Sequence, residues 1–342
     1  MIFLLLILFF LVAIIAFFSF YLKNIENLLF VILGILLILI AGLRNGESFR
    51  DYDMYVMMFQ DNYDEIVEPA FVVIKFIVRS LFGDNSIYLF IIFAIFGVSL
   101  KFMAIKQLTE LWFYSVLIYL SNFFILHEMT QIRVGVAAAL LLFCVKPIYE
   151  RNLKRFLLFA FLAFAFHFSA IIILPLWFLN SKPQKTWLLI LVPICYIIYF
   201  FGINFITVIP ITGIKEKIEI YQKLQELGGE ESVPINVFNF VFLAKVFIFY
   251  FFIYKYDLLL SYNKYFPIFM KIYCISLVSY LIFASISAFA TRISELFGIV
   301  EIILIPFVFY IFRPIYFSKI SVILIGLSFL LIVLFYVKLI EQ

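Results

Sequence analysis

Charged residues are scarce in this chain: Asp, Glu, Lys and Arg make up 13% of its 342 residues, whereas 67% are hydrophobic. Soluble domains carry about 25% charged and about 45–50% apolar residues. This balance excludes an ordinary soluble protein and predicts an all-α polytopic integral membrane protein. The 25 basic and 21 acidic residues are spread over many short segments, so no charged tail is long enough to bind nucleic acid.

Cysteine and histidine are also rare. The three cysteines all lie within apolar runs, so we predict neither a disulfide framework nor a thiolate metal site. The two histidines, His127 and His167, do not share the His-Glu-x-x-His spacing of a zinc helix. We therefore predict no metal and no other cofactor. The first apolar run, residues 1–21, lacks a basic start and a small-residue cleavage site, and we predict a retained span.

Apolar runs with the length of a spanning helix, about 20 residues, recur along the chain. They predict spans near residues 2–21, 27–43, 86–104, 111–126, 131–146, 186–203, 236–256, 265–289, 293–312 and 317–338. The run 154–180 is interrupted by His167 and contains Pro175, so it is either one long span or a broken pair that goes out and returns. The chain then has about eleven or about twelve membrane segments in a single transmembrane domain, residues 1–342.

The distribution of basic residues favours the broken pair, because short cytoplasmic loops are enriched in Lys and Arg. With the N-terminus outside, the basic clusters at 146–155 and 182–185 both lie inside. Two long segments, residues 44–85 and 204–235, then lie outside. The apolar run 70–82 is too short to span and predicts an interfacial or re-entrant helix. The amphipathic pattern over 214–227 predicts a surface helix, which is either a lid over a site or an ordinary solvated helix.

Unusual polar residues collect at the outer face in this topology. They are Arg44, Arg50, Asp51, Asp53, His127, Glu128, Gln131, Arg133, His167, Arg292 and Glu295. Ionisable residues at a membrane edge are functional candidates by default, with a structural ion pair as the alternative for each of them. Several arginines at one cavity indicate an anionic ligand held by forked hydrogen bonds, and a lipid-linked diphosphate is the natural candidate.

Short motifs follow one another in a fixed order along most of the chain. They are Arg44-Asn45-Gly46, Asp51-Tyr52-Asp53-x-Tyr55, Glu68-Pro69-Ala70-Phe71, Gln131-x-Arg133, His167-Phe168-Ser169-Ala170 and Arg292-x-x-Glu295. In this ordered set the sequence resembles the Wzy-type bacterial polysaccharide polymerases, in particular their EpsG-like branch.

The resemblance implies a GT-C-like glycosyltransferase of the bacterial inner membrane whose active site faces the periplasm. Such an enzyme moves a growing glycan from undecaprenyl diphosphate onto a lipid-linked oligosaccharide repeat unit, without a metal and with inversion at the anomeric carbon. Donor and acceptor are both linked to undecaprenyl diphosphate. Membrane lipid and a chain-length regulator protein are the further partners that it implies.

Candidate roles follow from the motifs and the resemblance together. His167 is the candidate general base, while Asp51 or Asp53 could take the proton instead or orient the acceptor sugar. The substrate-binding candidates are Arg44, Arg50, Tyr52, Tyr55, Glu68, His127, Gln131, Arg133, Arg292 and Glu295.

Three other functions stay open at this point. A lipid-linked oligosaccharide flippase would use the same arginines, but such transporters show paired repeat halves, and the chain has no evident internal repeat. A membrane O-acyltransferase would need its histidine near a cytosolic thioester, whereas the loop charges place His167 outside. An O-antigen ligase-type glycosyltransferase shares the polymerase chemistry and is the nearest enzymatic alternative.

The loop charges generate a topology prediction. Cysteines introduced at Gln60 and Gln225 should react with a membrane-impermeant maleimide added from the periplasm, because both segments lie outside. Cysteines introduced at Arg151 and Gln184 should react only after the membrane is opened. Labelling at position 151 in intact cells would overturn the orientation.

Overall fold

The computed structural model describes residues 1–44, 46, 49, 51–60, 67–202, 235–337 and 339. Within those ranges the chain forms helices and turns and no strand, which confirms the predicted all-α class. The chain divides into two compact units, Met1–Phe178 with Glu301–Gln342, and Leu179–Val300. Each unit is described by itself.

The α-helices of the described residues are numbered in chain order. They are α1 (Ile2–Phe18), α2 (Glu26–Gly42), α3 (Tyr52–Phe59), α4 (Pro69–Phe82), α5 (Ile87–Leu108), α6 (Trp112–Ile118), α7 (Ile132–Glu150), α8 (Leu153–Phe166), α9 (Lys185–Phe200), α10 (Phe240–Tyr254), α11 (Tyr256–Tyr262), α12 (Phe266–Ile282), α13 (Ser287–Gly298), α14 (Glu301–Leu304) and α15 (Ile315–Leu331). The longer 3₁₀-helices are Phe168–Phe178 and Ile305–Tyr310. The π-helical segments are Tyr119–Phe123, Ile125–Thr130 and Ile332–Val337.

The first unit is built around α5 and α7. Helix α2 packs on α5, α5 packs on α7, and α7 packs on α8. The run Ala137–Ala139 on α7 is fully buried, and such small side chains let neighbouring helices approach closely in a membrane. A second group, α1, α6 and α15, packs together in the same unit. The site described below lies along the α5–α7–α8 side.

In the second unit, α12 packs between α9 and α13 and is buried along most of its length. The Lys271 ammonium on α12 is buried and donates hydrogen bonds to the Asn180 side chain and to the backbone carbonyls of Asn180 and Lys182. These three acceptors satisfy the charge inside an apolar unit, which is the usual condition for burying a lysine.

Among the described residues, five helical segments are long and apolar enough to cross a membrane, and one bent helix pair raises that number to six. The five are Ile2–Tyr21, Lys23–Gly42, Ile87–Leu108, Ile132–Glu150 and Ile315–Val337, and four shorter apolar helices accompany them. Large apolar side chains such as Phe3, Phe76 and Phe161 are exposed on the helix surfaces, as expected where lipid is the solvent. The polytopic class is therefore confirmed, and the number of eleven or twelve membrane segments stays a prediction.

Two predicted boundaries differ from the structure. The run 265–289 is helical only to Ile282. Ile286 is extended, and α13 begins at the next residue, Ser287. The predicted span 293–312 is interrupted after Gly298. At both places the residues stay apolar while the backbone leaves the helix. A prediction based on hydropathy therefore cannot locate the end of the helix. The predicted surface helix at 214–227 lies outside the described residues.

The predicted break in the run 154–180 is confirmed. Helix α8 begins at Leu153 and is capped by Asn152, whose side chain accepts the backbone N–H of Arg155 at 3.1 Å. It ends at Phe166, and the next residue, His167, is extended at φ −154° and ψ 116°. The 3₁₀ segment Phe168–Phe178 follows and packs back on α8. His167 therefore lies at the turn between two apolar helices.

Candidate functional site

Glu68 precedes a proline, and that position determines its conformation. A residue before proline is driven to extended backbone, and proline favours the first position of a helix. Glu68 is extended at φ −60° and ψ 142°, and α4 begins at Pro69. Its carboxylate is thereby placed at the start of α4 rather than within it, and only 4% of the residue is exposed.

The Glu68 carboxylate joins two predicted site residues that are distant in sequence. Its Oε2 accepts a hydrogen bond and ion pair from Nη1 of Arg133, at the start of α7. Its Oε1 lies 3.1 Å from Nδ1 of His167, at the end of α8. One buried carboxylate thus brings together the ends of three helices, and it satisfies both of its oxygens in doing so.

The contact with Glu68 assigns the two nitrogens of His167. A carboxylate can only accept, so Nδ1 carries the proton and donates it to Glu68. In a neutral imidazole the other nitrogen, Nε2, is then the proton acceptor. The His167 side chain keeps 18% of its surface exposed, so Nε2 is the ring nitrogen that remains for a substrate.

Arg133 uses only part of its guanidinium group to bind Glu68. Its side chain is 16% exposed, and its Nε is buried without a hydrogen-bond partner in the described part of the chain. The guanidinium carbon lies 5.4 Å from the centre of the Tyr55 ring. Tyr55 is buried on α3. Arg133 therefore keeps a donor available next to an aromatic wall.

Arg44 lies in an aromatic box just beyond the end of α2. Its guanidinium carbon is 4.4 Å from the Phe90 ring centre, 5.7 Å from that of Tyr52 and 5.9 Å from that of Phe49. Nη1 donates to the Ala41 carbonyl at 2.7 Å. Nε and Nη2 have no hydrogen-bond partner among the described residues, although the residue is only 5% exposed.

The two arginines are linked through aromatic rings. Tyr52 stacks on Phe90 at 4.4 Å, and Tyr55 lies edge-on to the same ring at 6.4 Å. Arg44 approaches Phe90 and Arg133 approaches Tyr55. The rings thus form a continuous wall with one guanidinium at each end. Planar guanidinium groups favour phosphate and carboxylate oxygens, which they can bind two at a time.

Burial acts on the pKa of both kinds of charged group at the site. Burial lowers the pKa of the Arg44 guanidinium from its ordinary value to about 10, which leaves it charged at neutral pH. Burial alone would raise the pKa of Glu68, but the hydrogen bond from His167 and the charge of Arg133 outweigh it and lower the pKa from 4.5 to about 2. Glu68 is therefore ionised at physiological pH.

A second buried ion pair, Lys101 with Glu128, was missed as a candidate pair by the sequence analysis. Lys101 lies on α5 and is fully buried, and its ammonium is 2.5 Å from Oε1 of Glu128. The Tyr119 hydroxyl donates to the same oxygen at 2.9 Å. Lys101 falls within a predicted span, and a lysine in an apolar run is itself a signal of function. That signal could have identified it.

His127 and Gln131 lie close to Glu128 in the sequence. His127 is fully buried, and neither ring nitrogen has a hydrogen-bond partner in the described part of the chain. The Gln131 side-chain oxygen is also buried without one. Buried polar atoms are nearly always hydrogen-bonded in native proteins, so such atoms mark places where water or a ligand binds.

The remaining predicted residues lie in or next to α3, on α13, or outside the described residues. Asp51 is half-buried at the start of α3, and Asp53 is exposed on that helix. Arg50 lies outside the described residues. Arg292, exposed, and Glu295, half-buried, both lie on α13 in the second unit. Their membership of one site stays a prediction. Across the described ranges no three His, Cys, Asp or Glu side chains form a group that could hold a metal ion.

Comparison with known proteins gives one family and one curated relative. The sequence model of the EpsG family matches residues 27–342. The relative is the amylovoran biosynthesis protein AmsC of Erwinia amylovora, 26% identical over 182 residues. That match covers 48% of this chain and 48% of the relative, so the chain spans about half the length of the curated relative that it matches. No solved structure matches the chain.

The lowered pKa of Glu68 generates a stability prediction. A carboxyl group whose pKa is lower in the folded than in the unfolded state stabilises the fold at any pH above its unfolded-state pKa. This stabilisation is lost as pH falls towards its folded-state pKa. We expect Glu68→Gln to lower the thermal midpoint in detergent at neutral pH, with a cost of about 1.5–3 kcal/mol for a lost charged hydrogen bond. The difference from the native protein should shrink as pH falls from 4.5 towards about 2.

The matched control is Glu110→Gln, because Glu110 is exposed at the end of α5. We expect its thermal midpoint to follow that of the native protein at every pH. A Glu68→Gln difference that stays constant across the acid range would contradict the assigned ionisation of Glu68.

Proposed function

Because the chain belongs to the EpsG family, we propose that it is a polysaccharide polymerase of the bacterial inner membrane. It transfers a growing glycan from undecaprenyl diphosphate to a lipid-linked oligosaccharide repeat unit at the periplasmic face. The relative AmsC is named for the biosynthesis of amylovoran, which supports a role in polysaccharide synthesis. A chain-length regulator protein is the partner that such a reaction requires to set product size.

The observation that carries this proposal is the Glu68 carboxylate with its two partners. It holds a guanidinium, Arg133, and an imidazole, His167, on one buried anchor. A glycosyl transfer from a diphosphate needs these two groups: positive charge for the leaving group and a base for the attacking hydroxyl. A transporter that only moves the lipid-linked glycan has no need of an oriented base.

The arginines bind the diphosphate in this proposal. Arg44 and Arg133 both keep buried N–H donors that no described residue accepts. Arg44 forms no ion pair with any described residue, and its guanidinium lies against aromatic rings instead. A buried charge without a partner is unfavourable unless an ion binds it. The negative charge that develops on the departing diphosphate fits that requirement.

His167 takes the proton of the acceptor hydroxyl. The hydroxyl oxygen forms a bond to the anomeric carbon of the growing glycan while the bond from that carbon to the diphosphate oxygen breaks. The proton moves to Nε2 of His167 and later to water, and undecaprenyl diphosphate leaves with both bonding electrons. Glu68 orients the ring through Nδ1 and stabilises the imidazolium that forms, as the carboxylate does in other oriented histidine pairs.

The proposed step is a single displacement, so it inverts the anomeric configuration. The arginines supply the positive charge at the leaving group, and we propose that the reaction needs neither an added metal nor a nucleotide. Asp51 directly precedes α3, and Asp53 lies in its first turn, close in sequence to Tyr52 and Tyr55. We assign them the orientation of the acceptor sugar, with Asp51, the less exposed of the two, as the alternative base.

The proposal is tested with purified protein in lipid vesicles and lipid-linked repeat units isolated from the producing bacterium. We expect polymer to form when a chelator is present and no nucleotide is added. The new linkages should have the opposite configuration to the lipid-bound sugar, as read by nuclear magnetic resonance. Retained configuration would contradict the single displacement, and absence of any polymer would contradict the function.

The same assay tests the arginines. Arg44→Lys and Arg133→Lys keep the charge and lose the planar fork, so we expect about tenfold to hundredfold slower elongation, the size of one lost charged hydrogen bond. The matched control is Arg155→Lys, because Arg155 is exposed at the other end of α8. Normal elongation by both site variants would exclude them from diphosphate binding.

A further inference from the structure

Lys101 makes two polar contacts from a fully buried position on α5. Its ammonium donates to Oε1 of Glu128 at 2.5 Å and to the backbone carbonyl of Gly135 at 2.8 Å. The Tyr119 ring lies 5.5 Å from the same ammonium, and its hydroxyl donates to Glu128. One lysine therefore binds two points that are seven residues apart in the sequence.

The two points flank a break in the backbone. The wide helical turn Ile125–Thr130 ends at Gln131, which has φ −95° and ψ 63°, and α7 begins at Ile132. Glu128 lies before the break and Gly135 lies after it. A side chain that bonds both fixes the angle at which α7 begins. Arg133, on the first turn of α7, has its direction set by that angle.

Two glycines, Gly97 and Gly135, lie where a larger side chain would collide with Glu128 or with the backbone of His127. A methyl group at Gly97 on α5 would meet Oε2 of Glu128 at 1.9 Å. A methyl group at Gly135 would meet the backbone carbonyl oxygen of His127 at 2.4 Å. The carboxylate and the helix start are therefore seated directly against backbone. This close fit indicates that their positions are specified and not incidental.

A role in stability alone explains the pair poorly. Removing two charges from water costs energy that their attraction repays only in part, and apolar side chains of similar size often replace a buried ion pair without loss. An apolar residue on α5 would pack in this span as well as a lysine does. What it could not do is bond Glu128 and the Gly135 carbonyl at once.

We infer that Lys101 is a positioning residue that acts through Glu128 and Gly135 to hold Arg133 in the direction required to stabilise the departing diphosphate. The inference rests on the proposed function. Lys101 itself forms no hydrogen bond or ion pair with Glu68, Arg133 or His167 in the structure. Its effect is on the geometry of the reacting complex, so its loss should reduce turnover more than substrate binding.

The experiment uses the double variant Lys101→Met with Glu128→Gln. Both charges are removed together, so neither is left buried alone. Lys106→Met is the matched control, because Lys106 lies on the same helix and is bonded to Asn27 away from the site. We expect kcat for elongation, per folded protein by size-exclusion chromatography, to fall by about tenfold or more while KM changes little, because small misplacements cost rate. The control should keep the native kcat.

A second variant covers the case in which the double variant does not fold. Gly97→Ala keeps both charges and displaces the Glu128 carboxylate, and we expect the same selective fall in kcat. A native kcat per folded protein in either variant would overturn the inference. So would a fall in kcat that is matched by Lys106→Met.

A readout without turnover separates this inference from the proposed function. If the native protein makes no polymer, the proposed function fails, and hydrogen exchange then tests the clamp directly. Backbone amides of residues 129–136 should exchange faster in the double variant than in the native protein or in Lys106→Met. Unchanged exchange in this stretch would overturn the inference that Lys101 holds it.

Discussion

The buried carboxylate of Glu68 is the contact on which the candidate site depends. It receives Arg133 on one oxygen and His167 on the other, and these come from the start of α7 and the end of α8. In an apolar unit an ionised carboxylate needs charged or hydrogen-bonding partners on both oxygens. That requirement forces three helix ends to converge at one point. The proposed reaction uses this convergence, because the groups that meet there are a cation and an oriented imidazole.

A layer of buried polar groups extends from this point into the membrane-embedded part of the first unit. Arg44 and Arg133 lie at opposite ends of an aromatic wall, and Lys101 with Glu128 lies on the α5 side. The two acids each neutralise one cation in the structure, whereas Arg44 keeps no acidic partner among the described residues. Arg44 therefore presents a buried positive charge beside the aromatic wall, which suits a substrate that carries a diphosphate.

The sequence predicted the all-α class and named Glu68, Arg133 and His167 as site candidates, which the structure brings together. Long apolar runs predicted the five described helical segments that are long enough to cross a membrane, and the polar His167 within 154–180 predicted the break that the structure has there. The joining role of Glu68 could not be predicted, because its partners are 65 and 99 residues away and no local pattern encodes such contacts. Lys101 was missed although its position within an apolar run was a signal that could have identified it. Arg292 was grouped with the other arginines from the predicted topology and from the motif Arg292-x-x-Glu295, and it lies in the second unit.

The measurement that tests the central claim most directly is a double-mutant cycle on Glu68 and His167, read as kcat/KM for elongation. The claim is that Glu68 acts largely through the imidazole, so Glu68→Gln and His167→Ala remove overlapping parts of one unit. Loss of the base alone should cost about 10²–10⁴-fold. The account predicts that the double variant loses far less than the product of the two single losses. Losses that multiply would show that the two residues act independently and would contradict the account.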